Sequence, residues 1–393
     1  MTTRPYQMCV RCVMDTSAVD ITFDEHGVCN YCTAFLAKTL TLPEDSNSLA
    51  LRRNSLHNSI RETGKGKRYD CIVGVSGGAD SSYALYLAVQ NGLRPLAVHL
   101  DNGWDSELAQ NNIANLVRRL SVDLYTHVID WPENRDMQLA MMRADVIDVE
   151  MIMDNAQAAT TYRQACKYGL RHIVSGVNSR TEGMPIPEGW YHYKFDVRNI
   201  RSIHKKFGSI PIRTHPLMRT LTWLYYMHGR RIKYHKYLDF FMYNKTEAIA
   251  ILKRELDYVP YRYKHNESVF TRFYQNYMLP IKFGIDKRRV HHSNQICTGE
   301  MTREQALRDL AENVYIESGE AEADKLYVIK KLGMSEGEFR EYMARPPVRH
   351  DVYPSEIRRL HTVVLMGQSL KRLTNALLRP AIAGIKAVSG RKN

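Results

Sequence analysis

An apolar run, Tyr69-Asp70-Cys71-Ile72-Val73-Gly74-Val75, passes directly into Ser76-Gly77-Gly78-Ala79-Asp80-Ser81 and then into helix-forming residues. No other stretch limits the fold as strongly. Ile72, Val73 and Val75 predict a short buried strand, and Ser81 to Gln90, with Ala84, Leu85, Leu87 and Ala88, predicts the helix after it. Two glycines between them let the backbone approach a polyanion closely, and the N–H groups of the first helical turn point at it. Ser76, Ser81 and Ser82 add hydroxyl donors. Asp80 repels phosphate, so its presence implies a magnesium ion held between carboxylate and phosphate oxygens.

Further strands are predicted at Arg94 to Leu100, Asp123 to Val128 and Arg171 to Ser175, separated by helical stretches ending near Leu120 and running from about Asp136 to Lys167. Strands alternating with helices at this spacing argue a doubly wound parallel sheet of the α/β class. From Gly183 onward the pattern becomes aromatic, basic and mostly helical, with good helices at Lys245 to Leu256 and Thr302 to Asn313. Five segments follow: 1–40, a cysteine knuckle; 41–68, a helix and a Gly/Lys connector; 69–182, the α/β core; 183–345, a helical region completing the domain; and 346–393, a basic tail with a helix broken at Pro380.

A chain of 393 residues suffices for one large α/β domain with additions, or for two domains. Met1 to Val10 lacks the apolar core of a signal peptide, and no segment has the length of apolar residues needed to span a bilayer, so a cytoplasmic protein is expected. The net charge of +13 suits an anionic ligand such as ATP, a nucleotide sugar or RNA without choosing among them. Four of the seven cysteines cluster near the N-terminus; Cys71, Cys166 and Cys297 are scattered. That is metal-site usage in a reducing compartment, not a disulfide framework.

The cluster reads Cys9-x-x-Cys12, sixteen residues, then Cys29-x-x-Cys32. Each pair forms a knuckle whose thiolates take adjacent corners of a tetrahedron, so together they close a four-thiolate site for zinc, with an iron–sulfur cluster as the alternative. Four protein ligands saturate the metal and make it structural. Elsewhere, His99-Leu100-Asp101-Asn102-Gly103 ends the second strand and Gly176-Val177-Asn178 with Glu182 follows the fourth. Both fall at the carboxyl edge of the sheet, where ligands of doubly wound folds bind, so His99, Asp101, Gly176, Asn178 and Glu182 are candidate nucleotide contacts. Lys264 to Ser268 and Lys282-Phe283-Gly284-Ile285-Asp286-Lys287-Arg288-Arg289 supply cations able to neutralise a pyrophosphate leaving group. His291 and His292 lack metal-ligand spacing and read as structural or surface residues.

Ser-Gly-Gly-x-Asp-Ser lacks the lysine of the Walker A loop and resembles instead the PP-loop of the ATP pyrophosphatase superfamily. The resemblance implies an adenine nucleotide alpha-hydrolase-like fold that cleaves ATP between the α and β phosphates. The ordered set of four-cysteine knuckle, PP-loop, Gly176-x-Asn178 with Glu182, and the segment from Lys282 to Arg289 resembles the N-acetyl sugar amidotransferase family of surface-polysaccharide and lipopolysaccharide biosynthesis, over about residues 5–350. By that resemblance, ATP activates the acetamido oxygen of a nucleotide-linked sugar and ammonia then displaces AMP, leaving an acetamidino group. Ser76, Gly77, Gly78, Asp80 and Ser81 would grip the pyrophosphate, Asp80 would also hold Mg2+, and Lys287 and Arg288 would stabilise developing charge. No glutaminase constellation is present, so ammonia would come from a separate glutaminase with a histidine-biosynthesis-type synthase partner.

The competing class is a tRNA-modifying PP-loop enzyme with thiolation or lysidine-type chemistry, supported by the basic charge, the knuckle and the Tyr, Phe, Lys and Arg of Tyr261 to Arg289. Thiolation needs cysteines beside the nucleotide, which Cys71, Cys166 and Cys297 do not promise, so a nucleic-acid partner is not the expectation. The basic tail suits peripheral membrane contact, alone or alongside catalysis.

Overall fold

The computed structural model describes residues 4–39, 45–262 and 267–357. The tail expected to be helical about Pro380 lies outside the described residues, as do Lys264, His265 and Asn266. Five strands, β1 (Cys71–Gly74), β2 (Pro95–Asp101), β3 (Asp123–Val128), β4 (His172–Ser175) and β5 (Lys233–Lys236), form one sheet in the order β3-β2-β1-β4-β5. Every pairing is parallel, from Leu96 opposite Asp123 at one edge to His172 opposite Lys233 at the other. The chain therefore leaves β1 first to one side and later to the other, and a crevice opens at the carboxyl end of β1.

The period-two alternation of the strands sorts the two sheet faces. Cys71, Val73 and Val75 face a core made with α2 (Ser46–Gly64), α3 (Ala79–Gln90), α4 (Glu107–Leu120) and, from later in the chain, Leu252 and Leu256. Ile72, Leu96, Val98 and Ile173 face the opposite way, against Ala159, Tyr162 and Ala165. Before this sheet, α1 (Asn30–Thr39) closes the cysteine knuckle.

The single helical stretch expected from Asp136 to Lys167 is two helices, α5 (Trp131–Arg143) and α6 (Met151–Lys167). Asp145 adopts φ +53° between them, and the β-branched Val146, Ile147 and Val149 follow it. Tertiary contacts hold the break: Arg345 Nε donates to Asp145 Oδ2 at 2.8 Å and Val348 N to the Asp145 carbonyl at 2.9 Å. Strand β5 has no counterpart among the expected strands. Its Lys-Tyr-His-Lys sequence has no apolar run because it lies on the sheet edge, where lysines discourage further pairing.

Helices then dominate: α7 (Ser179–Glu182), α8 (Val197–Phe207), α9 (Thr220–Leu224), α10 (Lys245–Leu256), α11 (Val269–Phe273), α12 (Leu279–Phe283), α13 (Arg288–Thr298), α14 (Arg303–Ala311), α15 (Val314–Glu317), α16 (Glu320–Leu332) and α17 (Glu336–Ala344). Met137, Met141, Val149 and Ile152 of the α/β half pack with Ile203, Phe270, Phe273, Leu279, Val328 and Phe339 in one continuous core. This core spans the position near residue 183 where the sequence pattern changes. Met14, Ile21 and Phe35 of the knuckle pack on Ile285 and Val290, so the N-terminal segment and the region around α13 share a fourth core. Among the described residues, no helix is long and apolar enough to cross a membrane.

Candidate active site and metal centre

The turn after β1 is braced by its own side chains. Gly78 N donates to Ser76 Oγ at 3.3 Å, Ser81 Oγ donates to the Gly78 carbonyl at 3.1 Å, and the two serine hydroxyls lie 3.2 Å apart. Gly77 takes φ +79°, and a Cβ there would stand 2.8 Å from the Ala109 carbonyl oxygen of α4. Its lack of a side chain therefore serves both the turn and the packing. Ser76, Gly78, Asp80 and Ser81 line a cavity of about 760 Å3 at the carboxyl ends of β1, β2 and β4. Ser82 does not. It is fully buried beneath the loop, and its hydroxyl is no phosphate donor.

His99 and Glu182 also line the cavity. His99 Nδ1 lies 2.9 Å from the Val75 carbonyl and Nε2 lies 2.8 Å from Asp105 Oδ2. Both partners are acceptors, so both ring nitrogens carry hydrogen and the ring is an imidazolium. Burial opposes that charge, but the Asp105 carboxylate outweighs burial and raises the His99 pKa. His99 thus ties the end of β1 to the loop after β2. Asp101 is outside the cavity lining; its Oδ1 accepts from Gly103 N at 2.9 Å and shapes the turn. Asn178 is fully buried and caps α7, accepting from Thr181 N at 2.8 Å while donating to Thr181 Oγ1 at 2.9 Å. It positions Glu182 rather than meeting a ligand. Gly176 does reach the site: a Cβ on it would fall 2.5 Å from Ser81 N.

The remainder of the wall comes from elements that no local motif announces. Segment 267–269 lies along 104–106, with Ser106 N donating to the Glu267 carbonyl at 2.8 Å and Val269 N to the Trp104 carbonyl at 2.9 Å. This brings Thr271, Tyr274 and Gln275 to the cavity, which Asp148, Glu150, Asp154 and Lys194 also line. Lys194 Nζ sits 2.6 Å from Asp148 and 2.8 Å from Asp154. Burial disfavours both charged forms of the Asp148–Lys194 pair, yet mutual attraction wins, so the Asp148 pKa is lowered and the Lys194 pKa is raised. Lys287 lines the same cavity, whereas its neighbour Arg288 does not. The Arg288 guanidinium holds Asp286 at 2.7 Å and donates to the carbonyls of Asp309 and Glu312, each at 2.8 Å. Its expected role beside the nucleotide is corrected to that of a clamp on the end of α14.

Carboxylates outnumber cations around the cavity: Asp80, Asp105, Asp148, Glu150, Asp154, Glu182 and Glu267 against Lys194, Lys245, Arg262 and Lys287, besides the His99 imidazolium. The charge of +13 is therefore not concentrated here, and a polyphosphate at this site needs a divalent counter-ion. Asp80 is placed for one. It lines the cavity beside the loop, with Oδ1 accepting from the Tyr243 hydroxyl and Oδ2 3.8 Å from Lys245 Nζ.

The Cys9, Cys12, Cys29 and Cys32 thiols are buried, and all four Sγ atoms lie within 4.8 Å of one another. Cys9 and Cys32 are 4.0 Å apart and Cys12 and Cys29 3.7 Å apart. Tetrahedral zinc with bonds of about 2.3 Å separates its sulfurs by about 3.8 Å, so the cluster fits that ion. Backbone N–H groups of Cys29 and Met14 point at Cys9 and Cys12 Sγ at 3.3 and 3.4 Å, which suits thiolates. Arg303 braces the knuckle by donating to the carbonyls of Cys9 and Cys12 at 3.0 and 3.1 Å. Cys297 is not isolated, since its Sγ lies 3.7 Å from that of Cys32.

Residues 267–365 match the family model described as "LPS biosynthesis protein WbpG-like, C-terminal domain". No curated protein sequence is significantly similar to the chain. Among solved structures, NMN synthetase from Francisella tularensis is similar at 15% identity, over 72% of this chain and 96% of that one, with a TM-score of 0.31. The matched segment supplies Thr271, Gln275 and Lys287 to the cavity and the helix that seats the knuckle. Residues 267–365 are thus similar to the C-terminal domain of WbpG-like proteins of lipopolysaccharide biosynthesis, while the Ser-Gly-Gly-Ala-Asp-Ser loop and the four-cysteine knuckle lie outside the matched segment.

Proposed function

We propose that the chain is an ATP-dependent amidotransferase of the PP-loop type. It adenylylates the N-acetyl oxygen of a nucleotide-linked acetamido sugar and exchanges that oxygen for ammonia, leaving an acetamidino group in surface-glycan biosynthesis. One observation carries the reading: the anion cradle of Ser76 to Ser81 and a wall rich in carboxylate, hydroxyl and amine groups share a single cavity of about 760 Å3. That volume is in the upper part of the range for sites that enclose a drug-sized ligand, which suits a nucleotide and an acceptor together.

An amide oxygen is a poor leaving group until it bears phosphorus, and this is the chemical reason for ATP. The Gly78 N–H and the Ser76 and Ser81 hydroxyls stand at the start of α3, where the helix dipole favours negative charge, and would turn from their bonds within the loop to the β and γ phosphates. Asp80 would hold Mg2+, which would supply charge neutralisation as pyrophosphate departs. Lys245, 3.8 Å from Asp80, and Lys287 add positive charge in the cavity. Cys9, Cys12, Cys29 and Cys32 would hold Zn2+ as a structural ion that fixes the N-terminal segment against α13, away from the chemistry. Ammonia reaches the site from a separate glutaminase working with a histidine-biosynthesis-type synthase.

The tRNA-thiolating alternative loses support from the cysteines. Among the described residues no cysteine lines the cavity: Cys71 is buried in β1, Cys166 lies on α6 outside the lining and Cys297 sits at the knuckle. The test is product analysis. Protein supplied with ATP, ammonia and a nucleotide-linked diacetamido sugar is expected to release AMP and pyrophosphate with an amidino sugar, and Asp80→Asn to lose this turnover while melting as the parent does. Release of ADP and phosphate, or turnover that requires tRNA, would overturn the reading.

A further inference from the structure

Glu150 is a carboxyl group used neither by the helix that it opens nor by the phosphate loop. It occupies the N-cap of α6, where Ser, Thr, Asp and Asn are the usual caps, and it makes no capping hydrogen bond. The side chain turns into the cavity instead, where Thr271 Oγ1 donates to Oε1 at 2.6 Å. Gln275 Nε2 lies 3.5 Å from Oε2, at the outer limit of a hydrogen bond, so Oε2 keeps capacity for another donor. Asp148 and Asp154 hold Lys194, and Asp105 holds His99. Asp80 stands at the loop, taken by Tyr243.

Resting on the function proposed above, we infer that Glu150 is the general base of the amination step, its Oε2 taking a proton from ammonia as the nitrogen bonds to the activated carbon. After adenylylation the acetamido carbon is joined to AMP through the former amide oxygen. The ammonia lone pair forms the C–N bond as the π pair of the adenylylated carbon's bond to the sugar nitrogen withdraws onto that nitrogen, giving a tetrahedral carbon whose new nitrogen bears three hydrogens and a positive charge. One of these protons passes to Oε2. The C–O bond then breaks with its electron pair leaving on AMP, and the nitrogen lone pair closes the amidine. No oxidant or reductant is involved, and Glu150 returns its proton to solvent when product leaves.

Electrostatics agree with this role. Enclosure by protein raises the Glu150 pKa against the pull of Lys287, which brings its proton affinity toward the working pH. The other charged groups facing it are Asp154, which adds to the rise, and Lys194, which opposes it; the Thr271 hydroxyl stabilises the ionised form, and the Tyr274 phenol stays neutral because burial raises its pKa strongly.

The experiment compares the full chain with Glu150→Gln, which keeps the acceptor for Thr271. Sugar-dependent exchange of labelled pyrophosphate into ATP reads adenylylation, and amidine formation reads the second step. The variant is expected to lose amidine formation by roughly 10²- to 10⁴-fold, the usual worth of a general base, and exchange by far less. With free ammonia held constant across the series, the acidic limb of the parental pH–rate profile for amidine formation is expected to vanish with it. Because ionising this half-buried carboxyl, whose pKa is raised, costs stability above the ordinary glutamate pKa, the variant should melt at or above the parental temperature at pH 8. A proportional loss of exchange and amidine formation would mean that Glu150 only binds the acceptor, and an unchanged amidine rate would mean that it does neither; each overturns the inference. Absence of sugar-dependent exchange in the parent would remove the proposed function itself, and the inference with it.

Discussion

Gly176→Ala perturbs the site through contact alone. The residue follows β4, and the added Cβ would lie 2.5 Å from Asp80 C and Ser81 N and 2.6 Å from the Asp80 carbonyl oxygen. Ordinary contact begins at 3.4 Å, so the methyl group arrives about 0.9 Å too close. The obstructing atoms are backbone of the first turn of α3, anchored by Ser82 N to the Gly78 carbonyl at 3.1 Å and backed by the buried Ala84 and Leu85. Either the turn after β4 or the phosphate loop must move by most of an ångström. Overpacking of this kind costs about 1–3 kcal/mol, which for a large domain lowers the melting temperature by roughly 2–10 °C. The effect on catalysis should be larger, because a displacement near 1 Å in a positioning element costs on the order of 10²-fold in rate, or about 2.7 kcal/mol of barrier. The assay pairs a calorimetric melt with the rate of pyrophosphate release. Gly337→Ala is the control: the nearest atom to its Cβ is Ser335 Oγ at 3.8 Å, and alanine in the helix should stabilise by up to about 1 kcal/mol. A Gly176→Ala protein with the parental rate and melt would refute the close-packing argument.

Cys9→Ser should remove the bound metal, read as zinc per chain by elemental analysis, and lower the melting temperature; undiminished zinc would refute the four-thiolate centre. Arg288→Ala strips donors from the carbonyls of Asp309, Leu310 and Glu312, so it should cost about 1–3 kcal/mol in denaturant unfolding while leaving the KM for ATP unchanged, and a KM effect without destabilisation would restore Arg288 to the site. The raised pKa of His99 means that its ion pair with Asp105 contributes fully below about pH 6.5 and is lost as pH rises through the folded-state value. The stability gap between the parent and His99→Gln should therefore narrow on going from pH 6 upward, and a gap that widens would contradict the charged assignment.

What could be read from the sequence is what local physics decides. The loop from Ser76 to Ser81 is contiguous, so its glycines, hydroxyls and carboxylate declare an anion site before any fold is known. Strand β3 and α10 occupy the residues that alternation and helix propensity assign them, because each is set by its own pattern. Side-chain direction was not legible. Ser82 and Asn178 have the right chemistry at nearly the right positions, but one helical step turns Ser82 into the core, and the cap of α7 consumes Asn178. Lys287 and Arg288 are adjacent, yet the start of α13 sends one to the cavity and the other to α14. Glu150 and Thr271 meet across 121 residues, and Cys32 and Cys297 across 265, without any motif to announce either contact. Such pairings are products of the shared core.

The seating of the knuckle on α13 also sets an order of events during synthesis. Val13 N donates to Ser293 Oγ at 3.2 Å, and Arg289 Nη1 to the Val13 carbonyl at 2.9 Å, so the knuckle finds its support 276 to 280 residues further along the chain. At ribosomal speeds of about 5–20 residues per second, these partners are made roughly 15–55 s after the knuckle emerges. Through that interval Met14, Ile21 and Phe35 have no partner surface in Ile285 and Val290. The four ligands, by contrast, are complete within the first 32 residues. Early metal capture would hold the nascent segment in a closed shape and keep its thiols occupied until the far end of the polypeptide arrives to cover it.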